Sequence, residues 1–348
     1  MKKSILSFFM FCLSMSVFAQ GSLLATLSHE GNISAFYGAS ALKSALAAAE
    51  SGDVITLSSG HFQAANITKP ITLRGSGMSI STDSLNAHES TVIQGALSIN
   101  IADSIEGRLT MEGLYFNNGI TYAGVLKNAQ FLKCRFLNFI AANSALIINS
   151  SFIHCRIYNG YTQSGTSNAF FINSAVCSPS NLGSTSNNIE FDNCFVKFDF
   201  NSGYGNAPSD VINAYYKNCI IQTTGSTSKI PESCTANFCV GGGYSGMFDI
   251  LSSKNNTNKY VSSIGDVFKN YKVTGSSTYI ADFYNFELTE AAAAKYIGTD
   301  GTQVGIYGGN LVYDEDPTIP QITKCNVAAK STADGKLSVD IEVKAAEY

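Results

Sequence analysis

Tryptophan is absent from this chain of 348 residues, proline occurs only 6 times and histidine only 4 times. Charge is scarce as well: 14% of residues are charged and 45% are hydrophobic, which excludes an intrinsically disordered, self-repelling chain. Long apolar runs are missing beyond the first segment. The mean hydropathy of +0.07 is too low for a protein that spans a membrane several times. An excess of basic residues is also lacking, with Lys and Arg at 22 against Asp and Glu at 26. A net charge of −4 excludes a general nucleic-acid binder, because that task needs a basic surface. What is present must bury a core, in two or three average domains or in one repetitive all-β domain.

The segment Met1 to Ala19 has a basic start (Lys2, Lys3), an apolar run from Ile5 to Phe18 and a small residue before Gln20. That is the layout of a secretory signal peptide. It predicts an exported protein, extracellular, on the cell surface or periplasmic, whose mature chain starts at Gln20 and has no transmembrane span. Loss of Lys2 and Lys3 takes the net charge from −4 to −6. Cys12 leaves with the peptide, so eight of the 9 cysteines remain in a compartment that permits disulfides.

Ala39 to Ser51 (ASALKSALAAAES) predicts a short helix, with Ser40 as its cap and Gly52 as its stop. Short strands follow at Val54 to Leu57, Ile71 to Leu73, Val92 to Ile93, Leu97 to Ile101 and Leu109 to Met111, separated by Gly, Ser and Asn turns. From there one pattern repeats: an apolar residue, two variable positions, a small or apolar residue, one variable position and an apolar residue. Its occurrences are Met111/Leu114/Phe116, Phe131/Cys134/Phe136, Phe152/Cys155/Ile157, Phe171/Ser174/Val176, Phe191/Cys194/Val196 and Tyr216/Cys219/Ile221. A unit of roughly 20 residues that cannot bury itself alone, and stacks on its neighbours, is a solenoid. The leucine-rich core motif is absent, so the pattern predicts a parallel β-helix, each coil about 4.8 Å above the last.

The stretch Ala41 to Gly60, followed by ITLRGSG at Ile71 to Gly77, resembles the opening of right-handed parallel β-helix proteins of the pectin lyase-like superfamily. The apolar-x-x-Cys-x-apolar repeats resemble their rungs, and GTDGTQVGIYGG at Gly298 to Gly309 with PTIPQI at Pro317 to Ile322 is similar to the end of the helix in secreted bacterial members. The resemblance covers roughly residues 38 to 315 and implies a right-handed helix of about twelve coils with an N-terminal helical cap. It carries no single activity, since the superfamily holds lyases, hydrolases and adhesins. Residues 20 to 315 are therefore expected to form the β-helix domain. Residues 316 to 348, with alternating stretches around Ala333-Asp334-Gly335, are expected to form a C-terminal β-hairpin tail that packs on the helix end or an outer strand.

Cys134, Cys155, Cys194 and Cys219 share one repeat position with Ser174, which predicts an inward column of small side chains in preference to disulfides or zinc. Cys234 and Cys239, five apart in a loop, are the disulfide candidates. GGGYSG at Gly241 to Gly246 formally matches a dinucleotide fingerprint but lacks the βαβ unit that would give it meaning.

With the column inward, alternation sends its immediate neighbours outward. Two adjacent rungs then present Lys133, Arg135, His154 and Arg156 in a square roughly 5 to 7 Å on a side, with Tyr115 one rung away. Arg grips carboxylates bidentately and Tyr stacks on ring faces, so the square is a candidate subsite for an acidic sugar. The competing reading is a solvated face whose charges pair with carboxylates such as Glu112 or Asp192. A lyase of this superfamily would need a Lys or Arg base and calcium or cations to neutralise a uronate. Glu190, Asp192, Asp199 and Asp210 do not form an evident calcium cluster, and Asp192 with Asp199 does not make a hydrolase motif. His29, His61 and His88 read as turn or surface residues. The favoured function is a non-catalytic surface or extracellular protein contacting an extended polysaccharide, with no cofactor. The alternatives are a polysaccharide lyase that cleaves a uronic-acid glycan by β-elimination, with calcium, and a structural or adhesin-type surface protein.

Overall fold

The computed structural model describes residues 23–79, 90–141, 146–158, 160–161, 166–177, 187–198, 214–223, 235–242, 257–270, 286–315, 320–327, 330 and 334–344. The signal-peptide segment, Gln20, Cys12, His88, Asp199, Asp210, Cys234, most of GGGYSG and Pro317 lie outside them.

Short strands pair in parallel, coil on coil, into an all-β solenoid. Its first sheet opens with an antiparallel hairpin, Leu24–His29 with Asn32–Tyr37, and continues in parallel from Val54–Leu57 to Thr235–Asn237. The second sheet stacks 10 strands from Gly60–Gln63 to Lys259–Val261, and the third stacks 5, among them Ile120–Tyr122 and Phe139–Ala141. Ten stacked strands is the longest parallel run among the described residues, short of the twelve coils expected.

The sequence repeat is reproduced residue by residue in the register. In the first sheet Met111, Phe131, Phe152, Phe171, Phe191 and Tyr216 lie one above another. In the second, Phe116, Phe136, Ile157, Val176, Val196 and Ile221 do the same. Five of these rings form a continuous stack, Phe131 to Phe152, Phe171, Phe191 and Tyr216, with centroids 4.7 to 5.0 Å apart and planes within 13°. Strand spacing of about 4.8 Å brings like rings into stacking distance automatically. Phe139 meets Phe131, Phe136 and Phe152 edge-on and ties the third sheet to the other two.

Between the two stacks runs the column of Cys134, Cys155, Ser174, Cys194 and Cys219, all buried. Each thiol lies 3.1 to 3.4 Å from two carbonyl oxygens, one just behind it and one on the preceding coil, as with Cys155 against Ile153 and Phe131. Ser174 makes the same two contacts, 2.8 Å to Ile172 and 3.1 Å to Phe152, so it keeps the hydrogen bonds of the column. Cys239 is not in a loop. It takes the next place in the column, buried, with its sulfur 3.5 Å from the Tyr216 carbonyl. Its repeat was hidden because the flanking core positions are Ala236 and Gly241, too small to show as apolar signals.

Helix α1 (Ala41–Ala48) places Ala41, Leu42 and Ala45 in the same buried cluster as Phe62 and Ile67. Ser40 occupies its N-cap position but makes no capping hydrogen bond, and the chain turns extended at Ala49, before the expected stop. Near the other end, Gln321–Val327 pairs antiparallel with Val339–Lys344. Val339, Ile341 and Val343 on this ribbon are 52%, 51% and 58% exposed, so the packing expected of the tail does not extend to them.

Burial raises the Cys155 thiol to about 12 and the Cys134 and Cys219 thiols well above their usual range. All four column thiols are buried, so native protein should leave Cys134, Cys155, Cys194 and Cys219 unmodified by a thiol reagent at pH 8, whereas denatured protein exposes them. Truncating the middle of the ring stack, Phe152→Ala, should cost about 3–5 kcal/mol in denaturant unfolding.

Candidate functional site

The second sheet's outer face, expected to be open, is a second core. Ala175, Phe195, Ile220 and Val240 point out from successive rungs into a buried cluster with Ile264, Phe268, Phe286, Leu288, Val304, Ile306 and Tyr313. Residues 264–268 and 286–313 cover the face that period-two alternation had assigned to solvent. An apolar run of Ala, Phe, Ile and Val on an outward face calls for such a cover, because that much exposed apolar surface is unfavourable.

Residues immediately before the column sit at a corner between the first and second sheets. Lys133, His154, Asn173, Asn193 and Asn218 all have positive φ, from 44° to 53°, and Gly113 begins the series. Gly and Asn adopt this left-handed conformation readily; Lys and His do so at a cost that neighbouring contacts must offset.

Those contacts come from the strap Gly298 to Glu315, which runs back down the corner against the direction of the coils. Thr299 donates its N–H to Asn218 Oδ1 at 2.8 Å. Asn173 donates to the carbonyls of Ile306 and Gly308, both at 2.7 Å. The Asn193 amide, oriented to satisfy both neighbours, accepts from the Gly309 N–H at 3.1 Å and donates to Asp192 Oδ1 at 2.9 Å. His154 Nε2 donates to the Leu311 carbonyl at 3.2 Å, and Lys133 Nζ donates to Asp314 Oδ2 at 2.7 Å. Close approach needs Gly308, whose Cβ would stand 1.8 Å from the Gln303 carbonyl and 2.5 Å from the Asn193 amide.

Arg156 is nearly fully buried and forms an ion pair with Glu315. Its Nε donates to the Tyr313 hydroxyl at 2.8 Å, which donates in turn to Glu315 Oε1 at 2.7 Å. Glu315 also accepts from Ser79. Burial disfavours the guanidinium charge, but Tyr313 and Glu315 outweigh it and hold the Arg156 pKa above its usual value. Arg135, directly below in register, lies 4.3 Å from the Tyr115 ring centre and 5.1 Å from that of Tyr158. Two stacked arginines are thus accommodated differently, one by a carboxylate and one by aromatic faces.

The sequence correctly brings Lys133, Arg135, His154 and Arg156 onto adjacent rungs, but it does not leave them exposed. Lys133, His154 and Arg156 are buried, and Tyr115 faces Arg135. The expected partners are also different: Glu112 pairs with Arg74 at 3.0 Å and Asp192 with Lys217 at 2.9 Å. Asp314 and Glu315 were missed because they lie far along the chain in a segment with no repeat. Their only sequence signal is adjacency, the acidic run Asp314-Glu315-Asp316 directly after Tyr313. His29 bonds Asp53 at 2.8 Å and His61 bonds Gln94 at 2.8 Å, consistent with surface roles. Of the disulfide candidates, Cys234 lies outside the described residues. Among the described residues, no group of three or more His, Cys, Asp or Glu stands close enough together to hold a metal ion.

No protein-family model, curated protein or solved structure matches the chain. No helix among the described residues is long and apolar enough to cross a membrane.

Burial, and then the nearby Lys133 charge, lower the His154 pKa below its usual 6.5, against the opposing pull of the Leu311 carbonyl and Asp314. A depressed folded pKa contributes stability above the unfolded value and loses it as pH falls toward the folded one. Acidification below 6.5 should therefore weaken the wild type through this group. His154→Asn, which suits the left-handed corner, should fold and flatten that part of the pH–stability profile; an unchanged profile would contradict the assignment.

Proposed function

We propose that this chain is an exported, non-catalytic parallel β-helix protein of the pectin lyase-like type, closed at its N-terminal end by α1, that contacts an extended polysaccharide through its outer surface. The observation that supports this reading is the occupation of the basic corner by the protein's own acids. A lyase needs cations facing solvent to neutralise a uronate, and a base beside them. Here Lys133 is committed to Asp314, and Arg156 to Glu315 and Tyr313. A subsite for an acidic sugar at this corner would require the strap to leave, which would also uncover the second core. No cofactor enters the reading, and calcium would be needed only by the lyase alternative.

The structural or adhesin-type reading draws on one separate observation, the exposed apolar row of Val339, Ile341 and Val343 on the C-terminal ribbon, which suits an attachment element.

The test is to incubate purified mature protein with acidic and neutral polysaccharides, with and without calcium, following both electrophoretic retardation and the absorbance of unsaturated product. Retardation without product is expected. Product formation that is lost on replacing Lys133, Arg135 or Arg156 would overturn the non-catalytic reading in favour of a lyase.

A further inference from the structure

Away from the corner, a cleft of about 390 Å³ opens where the second sheet ends, between the strand Lys259–Val261, the 3-10 turn Ile264–Asp266 and helix α2 (Glu290–Lys295). Its volume falls in the range of about 300–1,000 Å³ typical of small-molecule sites. Tyr260 lines it with 37% of its surface exposed. Tyr296 is buried in the lining, and the Lys295 ammonium lies 5.0 Å from its ring centre. Asp266 and Lys295 are both exposed in the lining, and Ser262 and Thr289 add hydroxyl groups. Thr289 Oγ1 already accepts from the Ala292 N–H at 3.2 Å as the cap of α2, so its hydroxyl proton is directed elsewhere.

This mixture matches one ligand chemistry. A pyranose has an apolar face of C–H groups and a rim of hydroxyls that both donate and accept. A tyrosine ring takes the apolar face, a carboxylate accepts from two hydroxyls, and an ammonium donates to another. The two charges are of opposite sign, so the cleft has no net pull on an acidic sugar. A second cleft of about 460 Å³, beside α1, carries Lys43 and Lys69 and no aromatic side chain, and so lacks the stacking element.

We propose that the cleft binds a neutral pyranose unit of a glycan chain, with Tyr260 stacking on the sugar face, Asp266 accepting from its hydroxyls and Lys295 donating to them. The proposal rests on the polysaccharide-contact reading. It gives that contact a place, and a sugar chemistry opposite to the acidic one expected from the basic rungs.

Affinity electrophoresis in gels containing galactomannan, xyloglucan, dextran or polygalacturonate tests it, using wild type, Tyr260→Ala, Tyr260→Phe and Asp266→Asn, each checked for an unchanged unfolding midpoint. The expected result is retardation of the wild type by at least one neutral polysaccharide, with binding about tenfold or more weaker in Tyr260→Ala and retained in Tyr260→Phe. Asp266→Asn should weaken it as well. Equal retardation of wild type and Tyr260→Ala would overturn the cleft while leaving glycan contact in place. Retardation by polygalacturonate alone would overturn the neutral-sugar assignment, and no retardation by any polysaccharide would overturn both the cleft and the reading beneath it.

Discussion

Parallel pairing of Phe131 with Phe152, Phe171, Phe191 and Tyr216 sets one residue of each coil directly above its counterpart, and this register governs the rest of the molecule. Every chemical choice made at one repeat position is multiplied into a column. Aromatic positions become a ring stack. Cysteine positions become a row of thiols donating to carbonyls, in which one serine is tolerated because its hydroxyl reaches the same two acceptors. A slip of a single residue would turn these columns from core to corner, so the register is held by burial as well as by backbone hydrogen bonds.

The same multiplication creates a difficulty at the corner and on the outer face. Lys133, Arg135 and Arg156 bring positive charges onto neighbouring rungs beside His154, and Lys133 and His154 hold a left-handed backbone conformation. Burying such charges unpaired would cost several kcal/mol each. The strap resolves this with Asp314, Glu315, Tyr313 and the Leu311 carbonyl, and its upstream part satisfies Asn173, Asn193 and Asn218 on later rungs. The strap therefore closes the polar corner and, through Val304, Ile306 and Tyr313, joins residues 264–268 and 286–296 in covering the apolar outer face.

Repetition explains what was legible in the sequence. The six repeats from Met111 to Ile221 announce the coils because each must fill the same core positions, and Lys133, Arg135, His154 and Arg156 follow as neighbours from spacing alone. Cys239 was misplaced because Ala236 and Gly241 weaken the pattern around it. The cover over the outer face was illegible for a different reason. Alternation within a strand shows which residues point out, but not whether solvent or another segment lies there, and the strap has no repeat to align it. The outward Ala175, Phe195, Ile220 and Val240 were the available hint, an apolar row where a solvated face would carry polar groups.

The claim on which the functional reading turns is that the basic rungs are bound to the protein's own acids. A double-mutant cycle between Arg156 and Glu315 tests it most directly, using Arg156→Met, Glu315→Gln and the pair, with stability read from denaturant unfolding. A buried pair predicts a coupling of about 1 kcal/mol or more, together with a double variant less destabilised than the sum of the single ones. Additive effects, with no coupling beyond error, would mean that Arg156 is not held by Glu315 and that the corner is available to a ligand.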